Sequence, residues 1–135
     1  MIALAILATV ALRPELAAFE RLAGHCWVGR SPKGDPDTHC YAPMFDGKLL
    51  RDTHEVPGTP PYRGETIYRW DAASKRIAWA YFNSFGDEYR GWAVGLDGGL
   101  DFTDQAGAPV TSWRWTESGY TVTTKDRPPI RFMRK

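Results

Sequence analysis

His25, His39, His54 and Asp52 fall in one stretch of chain, His25 to Val56, with Trp27 and Tyr41 between them. Imidazoles and a carboxylate are natural ligands for zinc and other transition metals. They are also a natural acid–base pair, because histidine titrates near neutral pH. Either chemistry requires that these side chains meet, and that depends on the elements carrying them.

The stretch reads as three β-strands joined by two tight turns. Asp46-Gly47 between strand-like runs is a strong hairpin signal, because a two-residue type I′ turn needs φ > 0 at both central positions. A two-residue turn sets the register. Phe45 then faces Lys48, Ala42 faces Arg51, Tyr41 faces Asp52, and His39 faces His54. The preceding Pro/Gly/Asp loop, centred near Lys33, places Cys26 opposite Cys40 and Trp27 opposite His39. One face then carries all three histidines with Trp27, Tyr41 and Asp52, and the other carries both cysteines. Neighbouring strands lie about 4.8 Å apart and alternate residues about 6.8 Å apart, so these six side chains are able to converge. In that arrangement His25, His39, His54 and Asp52 are the candidate metal ligands. Protonating both His39 and His54 would set like charges side by side, so at least one is expected to titrate below about 6.5. The simpler reading leaves His25 and His54 in water near the barrel ends and packs His39 on Trp27.

With 135 residues, the chain suits one domain around one core. A hydrophobic content of 43% with 24% charged residues excludes a disordered or fibrous protein. The formal net charge is +1 with scattered Lys and Arg, which argues against a nucleic-acid or acidic-membrane partner. Six Trp in so small a domain suit a ring-lined pocket or aromatic cross-strand packing.

Ile2 to Leu12 is almost wholly apolar. It is too short to span a bilayer and has the length of a signal-peptide core, with Ala17-Ala18 as small residues near a cleavage point. Residues 1–18 therefore read as an export signal and 19–135 as the mature domain, in the periplasm or secreted. Export would allow a Cys26–Cys40 disulfide, whereas a cytoplasmic protein would keep two buried thiols. Arg13 to Gly24 reads as a short helix, with Pro14 in its first turn and Leu16, Phe19 and Leu22 on one stripe. Such a helix would cover a barrel mouth.

After Val56 the chain continues as short strands with turn signals between them. The expected spans are Tyr62–Trp70, Arg76–Ser84, Tyr89–Leu96, Leu100–Thr103, Val110–Thr116, Tyr120–Lys125 and Ile130–Arg134. The fold class is all-β: an antiparallel up-and-down meander of about ten strands, closed into a barrel that leaves no exposed edge. A sandwich over a filled core is the alternative. A barrel of this size leaves space for a small ligand. Tyr68, Trp79, Tyr81, Asn83, Trp92 and Arg114 join Trp27, His39, Tyr41, Asp52 and His54 as candidate lining residues, and an inward Arg114 would pair with a ligand carboxylate.

A helix, then L-x-G-x-x-W-x-G at Leu22, Gly24, Trp27 and Gly29, then an unbroken meander resembles the calycin group. That group comprises lipocalins, fatty-acid-binding proteins, haem-binding nitrobindins and lipocalin-like bacterial domains of unknown function. Tyr62-x-Gly64, Trp70-Asp71 and Tyr81-x-Asn83-Ser84 add likenesses to the bacterial domains. The resemblance implies a ligand-binding barrel with Trp27, and hence the histidine face, turned inward. In this chain two residues separate Gly24 from Trp27, where lipocalins and nitrobindins have one. No histidine follows His54, which removes the residue through which nitrobindins hold haem.

The leading expectation is a barrel that binds a small apolar or amphipathic ligand with a polar or acidic end and needs no cofactor. The rival is a small barrel enzyme using His39, His54 and Asp52 for acid–base or metal chemistry. A third reading is an interaction protein with a filled interior. No nucleophile elbow, zinc-protease helix, P-loop or dinucleotide fingerprint is present in the sequence.

Overall fold

The structure, a computed structural model, describes residues 11–135. Residues 2–10 of the apolar run Ile2–Leu12, and with them the larger part of the export signal expected over 1–18, lie outside the described residues. A 3₁₀ helix spans Pro14–Phe19 and is followed by ten strands. These are β1 (Cys26–Arg30), β2 (Pro36–Met44), β3 (Leu49–Val56), β4 (Tyr62–Asp71), β5 (Arg76–Asn83), β6 (Glu88–Leu96), β7 (Gly99–Asp104), β8 (Pro109–Trp115), β9 (Gly119–Thr124) and β10 (Ile130–Arg134). Each strand pairs antiparallel with the next, and β1 pairs with β10, so the sheet closes in up-and-down order. The sandwich alternative is thereby excluded, and the architecture is compatible with a calycin-like fold. Among the described residues no helix is long and apolar enough to cross a membrane.

Both hairpin registers hold. Asp46 and Gly47 have φ of 57° and 81°, and the Lys48 amide donates to the Phe45 carbonyl at 3.2 Å. Phe45 is also left-handed, at φ 49°, so the two strands diverge a residue earlier than a bare two-residue loop requires. The register is unaffected: His39 faces His54 and Tyr41 faces Asp52. In the first hairpin Cys26 faces Cys40 and Trp27 faces His39. The paired cysteines are bonded as a disulfide.

The N-terminal helix differs from the expected one. It is a 3₁₀ helix that ends at Phe19, with i→i+3 bonds from Leu16 to Arg13 and from Glu20 to Ala17 at 2.9 and 3.0 Å. The Leu22 amide repeats the pattern onto the Phe19 carbonyl at 2.9 Å. A three-residue period eclipses positions i and i+3. Leu16, Phe19 and Leu22 therefore share one line, and all three are fully buried in the core. They plug the end of the barrel where the β2–β3, β4–β5, β6–β7 and β8–β9 turns lie. The Arg13 amide donates to Gly47 and the Arg21 guanidinium to the Thr116 carbonyl, which ties the plug to those turns. A cleavage after Ala17 or Ala18 would take Leu16 out of this core.

Above the plug the interior is stacked with rings. Phe19 packs on Tyr68 at 4.3 Å and Phe102 on Trp113 at 4.5 Å between centroids. The next tier joins Trp113 to Tyr120 at 5.2 Å, Tyr120 to Phe132 at 5.0 Å and Trp27 to Tyr120 at 5.8 Å. Offset and edge-on contacts at these separations are the favoured aromatic geometries. The third tier, at the end away from the plug, is polar.

Candidate functional site

Four strand ends and the alternation of side chains build that polar tier. β2 starts at Pro36, so Asp37, His39 and Tyr41 point inward in succession. Asp52 and His54 do so at the end of β3, with Tyr62 at the start of β4 and Tyr81 near the end of β5. The β3–β4 and β4–β5 registers set His54 opposite Gly64 and Gly64 opposite Asn83. Gly64 brings no side chain, and a Cβ there would lie only 2.5 Å from the Tyr81 hydroxyl and collide with the His54 ring. The His54–Tyr81 contact exists because position 64 is empty.

The His39 and His54 rings stack at 4.4 Å with 19° between their planes. His39 Nδ1–H donates to both oxygens of Asp52, at 2.9 and 3.0 Å. Its Nε2 faces Asp37 Oδ1 at 3.4 Å. The same Asp37 oxygen accepts from His54 Nδ1 at 3.0 Å. That leaves His54 Nε2 to the Tyr81 hydroxyl at 3.0 Å, and Tyr81 in turn touches the Tyr62 hydroxyl. Phe132 meets the His39 ring edge-on at 5.1 Å, and Tyr41 lies beneath it at 6.2 Å. Asp37 and His39 side chains are 15% exposed, His54 11% and Asp52 3%, so the cluster lies just inside the wall.

This environment sets the charges. Burial disfavours charged His39, but the Asp52 carboxylate and the hydrogen bonds to Asp37 and Asp52 outweigh it and raise the pKa to about 10. Burial pushes the Asp37 carboxyl up, yet hydrogen bonds from His39 and His54 prevail and hold it well below the usual carboxylate range. Burial, then the Tyr62 contact, pushes the Tyr81 phenol up. Tyr41, Tyr68 and Tyr120 are raised first by burial and then by further interactions that include the Asp52 charge. The expectation that a stacked histidine titrates low is therefore reversed for His39. Repulsion between imidazoles loses to two flanking carboxylates, of which only Asp52 was counted from the sequence.

Asp37, together with Tyr62, is what sequence reasoning missed. The signal for Asp37 was present, since it stands two positions before His39 and shares its face. His25 behaves in the opposite way. It precedes β1 near the plugged end, and Arg134 Nη2 donates to its Nδ1 at 2.8 Å. Among the described residues, the ligand-type atoms lying within 4.8 Å of one another are those of Asp37, His39 and His54, without His25.

The other expected lining residues divide by depth and by face. Trp27, Tyr41 and Tyr68 are buried members of the ring core, and Tyr41 shares a 2.8 Å hydrogen bond with the Tyr120 hydroxyl. Trp79 lies inward over Gly91, where a Cβ would be 2.6 Å from its ring, and donates to the Trp92 and Thr103 carbonyls. Asn83 organises the β5–β6 turn, accepting from the Phe85 and Asp87 amides at 3.0 and 3.1 Å. Trp92 and Arg114 are corrected to the outer face. Trp92 alternates with the core residue Ala93 and lies under Arg76 at 3.7 Å. Arg114 alternates with the buried Trp113 and pairs with Asp101 at 2.8 Å, so it cannot meet a ligand carboxylate inside the barrel. An open groove of about 700 Å³ runs over the outside of the wall, between Thr38, Thr53, Arg63 and Glu65, and reaches inward to His54 and Gly64.

No protein-family model, curated protein or solved structure matches this chain.

Proposed function

We propose that this protein is a small-molecule-binding barrel whose recognition centre is the polar tier of Asp37, His39, Asp52, His54, Tyr62 and Tyr81. The observation that carries the reading is the pair of stacked imidazoles held between two carboxylates at the unplugged end. Buried charge is costly unless it is paired, and a structural core gains nothing from so many charged groups that rings could not supply. The likeness of Leu22, Gly24, Trp27 and Gly29 to the lipocalin and fatty-acid-binding pattern supports the same reading. The ring-filled interior favours a short ligand over a long chain. Its polar head would meet the cluster, and its apolar part would lie on the rim rings Tyr62 and Phe85, which are 5.5 Å apart. The Cys26–Cys40 bond supports a place of action outside the reducing cytoplasm, in the periplasm or secreted.

Acid–base catalysis is the second reading, favoured by the two-oxygen grip of Asp52 on His39. It ranks lower, because a general base working near neutral pH must be largely unprotonated and His39 keeps its proton to about pH 10.

The test is titration of the protein with 1-anilinonaphthalene-8-sulfonate, an amphipathic fluorescent probe, together with native mass spectrometry for co-purified organic molecules. Saturable one-to-one binding that weakens at least tenfold in His39→Ala/His54→Ala is expected. Unsaturable binding, or binding indifferent to both substitutions, would overturn the reading.

A further inference from the structure

We propose that the unplugged end of the barrel holds a divalent transition metal, zinc foremost, on Asp37, His39 Nε2 and His54 Nδ1, with Asp52 and Tyr81 orienting the two imidazoles. The inference rests on the binding reading above and names what would meet the ligand's head group. Three observations carry it independently of one another.

The first is spacing. Ligand atoms about 2.0–2.1 Å from a tetrahedral zinc ion lie roughly 3.4 Å from one another. Asp37 Oδ1 is 3.0 Å from His54 Nδ1 and 3.4 Å from His39 Nε2. Both ring nitrogens already point at one oxygen, so an ion bound there would take the place of the protons they now direct at Asp37 without turning either ring.

The second is the use of the opposite ring nitrogens. A metal-bound histidine nearly always donates its other N–H to a carboxylate, carbonyl or similar acceptor, which sets the tautomer. His39 Nδ1 is held by Asp52, and His54 Nε2 by the Tyr81 hydroxyl, which is passed on to Tyr62. Each imidazole thus has one nitrogen anchored and one directed at Asp37. Gly64 clears the space that lets Tyr81 reach His54.

The third is charge. Asp37 and Asp52 are two carboxylates in a poorly hydrated tier, and they oppose an acidic head group. A dication on Asp37 offsets the two negative charges and offers the head group a bond of its own. Two nitrogens and one carboxylate oxygen select zinc or a neighbouring first-row ion over calcium and magnesium, which prefer all-oxygen sets. Three protein ligands leave a fourth position, as in zinc sites that take water or substrate. The ligand class that follows is a small amphipathic molecule with a lone-pair donor at its head, such as a carboxylate.

The experiment is calorimetric titration of chelator-treated, dialysed protein with zinc sulfate, and in parallel with cobalt(II) followed by visible absorption. One equivalent per chain and intense tetrahedral cobalt bands are expected. Asp37→Ala, His39→Ala and His54→Ala should each weaken zinc binding at least about 100-fold, and Asp52→Asn about 10–100-fold. His25→Ala should bind as the parent does. Circular dichroism checks each fold, and His54→Gln replaces His54→Ala if the latter fails to fold. Absence of saturable zinc and cobalt binding would overturn the inference, as would binding that survives His54→Ala but disappears in His25→Ala. Probe binding in chelator without any metal affinity would sink the metal alone. Metal binding with no probe binding would sink the small-molecule reading alone.

Discussion

Gly64 lies directly across from His54 in the β3–β4 pair, and the space left by its missing side chain is filled by the His54 imidazole and the Tyr81 hydroxyl. A glycine inside a strand normally weakens it. Here it admits a polar contact that any other residue would exclude. Gly64→Ala should therefore destabilise the protein by about 1–3 kcal/mol and expel the His54 ring from the cluster. Chemical denaturation and the imidazole signals of His54 by NMR check both effects. An alanine variant with unchanged stability and unchanged His54 signals would contradict this account.

Stability should depend on pH through His39. With divalent metals chelated, folded His39 keeps its proton to about pH 10, whereas an unfolded histidine releases it near 6.5. Between those values the folded state binds more protons, so stability falls as pH rises. The His39 contribution is complete below pH 6.5 and gone above about 10. Asp37 has the opposite sign. Its folded pKa lies below the ordinary 3.8, so its contribution is present above that value and lost as pH falls. Urea midpoints measured from pH 6 to pH 10 should decline in the parent and flatten in His39→Gln. Parallel profiles would show that His39 is not held charged.

The Cys26–Cys40 bond joins directly paired residues of β1 and β2, separated by 14 positions in sequence. Closing a loop of that length is worth roughly 3 kcal/mol in the chain-entropy model. Cys26→Ser/Cys40→Ser should lower the unfolding free energy by about that amount without changing the β-sheet spectrum. Protein recovered from an oxidising compartment should show no reactive thiol after denaturation in the absence of reductant. Two reactive thiols would reject the bond.

The plug should matter more than its six residues suggest. Phe19 is fully buried against Tyr68 and Phe102. Phe19→Ala should cost about 3–5 kcal/mol, because the ring leaves a cavity that the closed barrel cannot collapse to fill. Ala18→Ser, at a partly buried neighbouring position, is a milder comparison. A thermal shift for Phe19→Ala no larger than that of Ala18→Ser would show that the helix does not close the core.

Arg114 and Asp101 form an ion pair about half exposed to solvent. Such pairs contribute about 0.2–1 kcal/mol. Arg114→Ala should change stability by no more than that and leave probe binding at the polar tier untouched. A loss of binding in this variant would show that the outer face takes part in recognition.

Sequence alone determined the strands, their order and two registers. Asp46-Gly47 permits left-handed φ at both positions, and one two-residue turn then settles every pair from His39–His54 to Met44–Leu49. The Cys26–Cys40 pairing followed from counting across the loop near Lys33. Alternation is a local property, so it could place residues on a face but not bring them together. Closure of the barrel decided which of them met. It drew Asp37, His39 and His54 to one end with Tyr62 and Tyr81, and left His25 against Arg134 near the other. It also filled the interior with rings, because inward aromatics from opposite walls reach one another only when the sheet curves back on itself. Trp92 was unreadable for a simpler reason. β6 runs E-Y-R-G-W-A-V-G-L without apolar–polar alternation, so only the register with β5 and β7 fixes which way its tryptophan faces.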